Sequence, residues 1–218
     1  MSIVVRTLSE RVFEVVREQI VRGQLPHDLP IRQDALAAEL GVSKIPLREA
    51  LARLEQEGLL TSHANRGYFV QPMSSAQAEE IFELRLAIEP IAAARAARYA
   101  TEADRREAIE TFERLDRAAS DNLPEVAMRN RDFHTALVRP GDRMLTTQVV
   151  ERLTILAERY VIAQLSPAGR DQRAHLEHRG LLDSWLSHDE AAIVSLLSQH
   201  IAATLEDLRS QFAASAAT

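Results

Sequence analysis

The 218-residue sequence contains no cysteine. That excludes a disulfide framework and any thiolate metal site, and it suits a reducing cytosol. No apolar run approaches the ~20 residues of a membrane-spanning helix. The opening residues Met1 to Arg6 are too short and too soon charged for a signal peptide. The expected setting is cytoplasmic, with no membrane partner. Excess positive charge is also missing: 26 Lys and Arg stand against 32 Asp and Glu, a net charge of −6. At first sight that argues against nucleic acid. Residues 1–70, however, hold nine cations and nine anions, and the remaining chain carries the whole deficit, 17 against 23. A DNA-binding first third would therefore depend on local placement of cations, make few phosphate contacts per monomer and rely on dimerisation. Chain length allows one large or two modest domains. Leu, Ala, Arg and Glu dominate, which favours helix.

The most informative stretch runs from Gly41 to Leu54. Ser43 suits a helix N-cap, and Pro46 falls in the first turn, where no intrahelical N–H is lost. Leu47, Ala50, Leu51 and Leu54 form one apolar stripe. Lys44 and Arg48 are four apart and share a different face. Gly58 suits a left-handed stop. An ordinary amphipathic helix with solvated charges would look the same. The flanks separate the two readings. Asp34 to Leu40 has a helical pattern, and Gly41 makes a tight turn between two helices. After Gly58, two β-prone runs, Leu59 to Ser62 and Gly67 to Gln71, flank the polar turn His63-Ala64-Asn65-Arg66. That is a hairpin whose tip is able to reach along a DNA backbone or into a minor groove. The sequence LAAELGVSKIPLREALARLEQEGLL followed by RGYFV resembles the winged helix-turn-helix of GntR-family transcription regulators over residues 8–71. The resemblance implies DNA binding with Ser43, Lys44 and Arg48 on bases and phosphates. Arg32 and Arg66, with Gly67 in the wing, are expected against the backbone or minor groove.

The first helix is expected over residues 8–22, with a Thr7/Glu10 capping box. A loop with two prolines then spans Leu25 to Pro30. GntR relatives usually show Pro-Gly there, where this chain has His27-Asp28. Residues 72–75 form a linker in which Pro72 stops the strand and Ser74 or Ser75 caps the next helix. The rest, residues 76–218, carries no strand signal. It divides into six helices near 76–99, 102–119, 123–138, 142–165, 171–187 and 189–213, and Pro90 is expected to kink the first. The breaks fall at Thr101, Asp121-Asn122, Arg139 to Asp142, Ser166 to Gly169 and Ser187 to Asp189. The expected fold is mainly α, a winged helix-turn-helix (residues 1–71) followed by an all-helical six-helix bundle. A bundle after a winged helix resembles the FCD effector domain of the FadR subfamily, and six helices rather than seven resemble its VanR-like branch.

Three histidines, His134, His178 and His200, fall on three of these helices. Inward side chains from several helices are a way to build a metal site in a bundle, and imidazole suits Zn, Ni, Mn or Fe. Taken alone, a helical histidine is more often a core or surface residue. The FCD resemblance changes the weight. In that family an Asp three residues before a Phe-His pair, together with three histidines, binds a divalent metal. The histidines map onto these three, and the Asp position is Asn130. A neutral amide there lowers the expected metal affinity and leaves the centre more positive, which favours a carboxylate effector. Asp132 lies about 200° around the helix from His134 and does not substitute. Arg85, in ELRLAIEP, resembles an arginine that faces the family's cavity. It suits a bidentate carboxylate clamp or, equally, an ion pair with Glu89 four residues on. His175 is able to line the same face. His27, His63 and His188 read as solvated, and Trp185, Tyr99 and Tyr160 as packing residues.

The sequence thus reads as a dimeric, non-enzymatic transcription regulator, a repressor, acting on a near-palindromic operator. It senses a small organic acid through a His-bound divalent metal. Three rivals were weighed. A metal-dependent hydrolase needs a general base; Glu177 points elsewhere on its helix, no H-E-x-x-H is present, and the winged helix goes unexplained. An acyl-CoA binder has no need of three imidazoles. A regulator with no ligand gains weight from the loss of the Asp.

Overall fold

The computed structural model describes residues 7–118, 122–165 and 170–216. The expected breaks at Asp121 and at Ser166 to Gly169, and the segment Met1 to Arg6, lie outside them. Contacts divide the chain into two compact units, Met1–Pro72 and Met73–Thr218.

In the first unit, α1 spans Leu8–Val21 and starts with the capping box: Glu10 N–H donates to Thr7 Oγ1 (3.2 Å) and Thr7 N–H to Glu10 Oε2 (2.7 Å). Two orphan amides are thereby satisfied. Helix α2 is Gln33–Glu39, and α3 is Lys44–Gln56. Gly41 turns between them at φ +64°, a conformation that costs a residue with a Cβ. The stripe Leu47, Ala50, Leu51, Leu54 is buried, and α3 packs chiefly on α1, whose Val12, Phe13, Val16 and Ile20 are also buried. Each large side chain in that interface contributes roughly 1.5–3 kcal/mol. Strands β1 (Leu60–His63) and β2 (Gly67–Val70) pair antiparallel, Leu60 opposite Val70 and His63 opposite Gly67. The wing is tied inward at two points: Ile31 N–H donates to Tyr68 O (2.8 Å), and Ser62 N–H to Glu55 Oε1 of α3 (3.1 Å).

The second unit is six helices among the described residues: α4 (Ser75–Tyr99), α5 (Glu102–Asp116), α6 (Leu123–Val138), α7 (Met144–Leu165), α8 (Arg170–Leu186) and α9 (Glu190–Ala216). Ser74 caps α4 by accepting from Gln77 N–H (3.1 Å), so Ser75 is already helical. A Thr101/Asp104 capping box starts α5. Helix α4 runs through Pro90 without a break and packs on α6, α7, α8 and α9. Its buried Ala93, Ala94, Ala96 and Ala97 permit close approach. Its own Phe82 joins Phe112, Phe133, Leu137, Trp185, Ile193 and Ile201 in the core. Trp185 donates its Nε1–H to Leu137 O (3.0 Å), which removes the cost of burying that polar atom. Tyr99 departs from the packing role: it is exposed, with the Arg95 guanidinium 5.7 Å from its ring centre. His188 is not simply solvated either. Its Nδ1 lies 2.6 Å from Ala97 O and its Nε2 2.8 Å from Arg105 Nη1. Among the described residues no helix is long and apolar enough to cross a membrane.

Candidate functional site

The first unit presents a cationic helix start. Ser43 has the extended backbone of an N-cap, but its hydroxyl makes no capping bond. The reason is local. A cap accepts from the second or third helical amide; Pro46 removes the third, and the second, of Ile45, is not engaged either. The Ser43 hydroxyl is therefore left for another partner. Lys44 and Arg48 are exposed, and each rests on the start of α2, Lys44 Nζ on Asp34 and Arg48 Nε on Gln33 Oε1 (3.3 Å). Exposed pairs of this kind are weak, so both cations are able to exchange them for phosphate. Arg32 is exposed at the start of α2. Arg66 is exposed at the wing tip, 5.5 Å from the Phe69 ring centre, beside Gly67 at φ +87°. One residue that the sequence reading passed over is Ile45, 71% exposed between the two cations. The signal was available: Ile45 is the one large apolar residue of α3 outside its buried stripe.

The second unit gathers His134 of α6, His178 of α8 and His200 of α9. One ligand atom from each lies within 4.8 Å of the others. His178 and His200 ring centres are 4.6 Å apart, and His134 lies 5.4–5.5 Å from both. His134 is 1% exposed and His178 4%. Buried polar atoms almost always find a partner, yet both nitrogens of His134 and Nε2 of His178 make no hydrogen bond. His134 Nδ1 approaches Glu89 Oε2 at 3.4 Å without forming one. Burial pushes the His134 pKa down to about 4, against a partial upward pull from Glu89, and burial with the neighbouring histidines pushes His178 well down. Both are neutral at pH 7 and keep a lone pair to offer. The orphaned nitrogens and the neutral donors fit a divalent ion.

Other side chains complete the surroundings. Glu177 Oε2 lies 2.6 Å from His200 Nδ1. The sequence places Glu177 elsewhere on its helix from His178; in the structure it reaches a histidine on the next helix. Arg85, buried, forms the ion pair with Glu89 through Nε (2.5 Å) and Nη2 (3.2 Å). Burial pushes the Glu89 pKa up, but the Arg85 charge, the close approach of His134 and the bonds from Arg85 outweigh it, bringing it to about 2. Asn130, 8% exposed, shares the wall of a cavity of about 490 Å³ with Arg85, His178 and His200. Asp132 turns away to Arg131 (3.1 Å) and Arg129 (3.7 Å). His175 lines the cavity and pairs with Asp116 (2.7 Å).

Comparison with known proteins agrees with this layout. Residues 8–70 match the profile described as bacterial regulatory proteins, gntR family, and residues 80–203 match the FCD domain. A probable D-xylose utilization operon transcriptional repressor of Paenarthrobacter nicotinovorans is 30% identical over 206 residues, 91% of this chain and 88% of that protein. The HTH-type transcriptional repressor GlaR of Escherichia coli is 30% identical over 198 residues, 85% and 89% of the two chains. The solved structure of E. coli McbR/YncC superposes with a TM-score of 0.78 at 22% identity, covering 95% of this chain and all of that one, a likeness of fold.

Proposed function

We propose that this chain, a DNA-binding transcription regulator that belongs to the GntR family and carries an FCD domain, acts as a homodimeric repressor whose helical unit holds a divalent metal and senses a small carboxylate. Two relatives that bear the name repressor support the sign of regulation. In a dimer, two α3 helices enter successive major grooves of a near-palindromic operator. Ser43, Lys44 and Arg48 face bases and phosphates, while Arg32, Arg66 and Gly67 face the backbone or minor groove.

One observation carries the metal reading: imidazoles from three helices converge, and the buried nitrogens that two of them, His134 and His178, bring there have no hydrogen-bond partner. His134, His178 and His200 are the ligands, with the neutral amide oxygen of Asn130 as a fourth donor. When bound, the ion supplies a positive centre that a carboxylate oxygen completes. Glu177 fixes the ring of His200 by accepting from Nδ1–H, which leaves Nε2 as the donor atom. Glu89 and Arg85 neutralise each other beside the site. Arg85 is already engaged on one edge by Glu89 and meets the effector with its remaining donors. The effector releases DNA only if it binds the two states of the bundle unequally.

Elemental analysis of untagged, extensively dialysed protein tests the metal. Near one equivalent of Zn, Ni, Mn or Fe per chain, lost in His178→Ala, is expected. No metal after soaking would overturn it and leave direct hydrogen bonding by Arg85 and the histidines.

A further inference from the structure

The cavity against the histidines is far larger than a small acid needs. A cavity of about 490 Å³ is many times the space that a single water needs. Its buried polar side chains include Arg85, Asn130 and His178, which with His200 make up the histidine end. Much of the remaining wall is apolar, with Phe112, Leu115, Leu123, Val126, Val161 and Ile201 from four helices, alongside the polar Asp116, Gln172, His175 and Thr204. Along α6 the change from polar to apolar is direct: Val126 and Leu123 precede Asn130 by one and two turns, about 6 and 10 Å. Water gains little against such walls, and an apolar group displacing it gains affinity in proportion to the area covered.

Charge is unevenly placed. Among the described lining residues Arg85 is the one Lys or Arg, and it lies at the histidine end. The other ionisable contact is that of His175 with Asp116, both about two-fifths exposed and therefore at the rim. A second carboxylate on the ligand would meet no cation there and would meet the Asp116 carboxylate instead.

We infer that the effector is a monocarboxylate bearing one apolar arm of roughly six to ten carbons, seated with its acid group toward the histidines and its arm along Val126, Phe112 and Val161. This rests on the proposed carboxylate site and narrows it. Short hydroxy acids and dicarboxylates are discriminated against, the first by unfilled apolar volume and the second by the absence of a receiving cation.

Isothermal titration of the metal-loaded full chain tests this with acetate, butanoate, hexanoate, octanoate, octanedioate and octan-1-ol. Affinity should rise about two- to fourfold per added methylene, octanedioate should bind at least tenfold more weakly than octanoate, and octan-1-ol should bind hardly at all. Val126→Trp, which fills the arm's path, should cost octanoate at least tenfold more than acetate. A flat series, or a diacid as tight as the monoacid, overturns the arm while the carboxylate site stands. A rising series in which the alcohol equals the acid overturns the acid end while the apolar arm stands. Failure of every acid to bind overturns both.

Discussion

Glu177 Oε2 stands 2.6 Å from Nδ1 of His200. It reaches from α8 to α9. A carboxylate in this position fixes the tautomer, since an Nδ1–H that donates leaves Nε2 unprotonated. Burial pushes the Glu177 carboxyl up, but the bond with His200 and the Arg173 charge outweigh it and hold it below the usual carboxylate range.

Glu177→Ala should lower metal affinity by roughly ten- to a hundredfold, the usual cost of losing such a partner. Operator binding by metal-free protein should be unchanged. Competition against a metal-chelating dye reads the affinity directly. Equal affinities for variant and parent would show that the Glu177–His200 contact is a surface ion pair with no bearing on the metal.

Asn130→Asp should have opposite effects in the two states of the protein. Without metal, an ionised carboxylate at a site 8% exposed is destabilising. With metal, it adds a full negative charge to the ligand set and should raise affinity about tenfold or more. Thermal melting should therefore show the variant below the parent after chelation and above it after loading. A variant that melts below the parent in both states would remove position 130 from the ligand set.

Arg48→Ala should abolish operator binding and leave the fold and effector affinity intact. Arg48 is exposed and holds Gln33 through one long bond of 3.3 Å, so its removal costs the first unit little. Footprinting checks binding, and circular dichroism checks the fold. Normal protection of the operator would refute the placement of α3 in the groove.

Tyr160→Phe should destabilise the second unit by about 1–2 kcal/mol. The Tyr160 hydroxyl accepts from Ser74 N–H (3.2 Å) and lies 2.8 Å from Gln77 Oε1, tying the cap of α4 to α7. Phenylalanine keeps the packing and removes both bonds. For a unit of this size the melting temperature should fall by a few degrees. Urea denaturation followed by Trp185 fluorescence measures it, and an unchanged midpoint would mean the contact is not maintained in solution.

Much of this molecule was legible before any coordinates. The helix starts were marked by Thr7, Ser74 and Thr101, the turn by Gly41 and the stop of α3 by Gly58, because caps and left-handed turns are local and depend on residues a few positions apart. The buried stripe of α3 was legible for the same reason, as a 3.6-residue period needs no knowledge of what it packs against. His134, His178 and His200 were named through family resemblance, since spacing alone does not distinguish an inward histidine from a surface one. Relations between distant positions had no sequence signal. Glu177 meets His200 across 23 residues, His134 approaches Glu89 across α4 and α6, and Asp116 closes on His175 at the mouth of the cavity. Pro46 removes one of the two amides that a Ser43 cap is able to use, a local signal of the missing cap. The sequence by itself determined where helices begin and end and which side chains are able to ligate. Only tertiary structure decided which imidazoles lose their water and their partners, because desolvation depends on how helices far apart in the chain pack together.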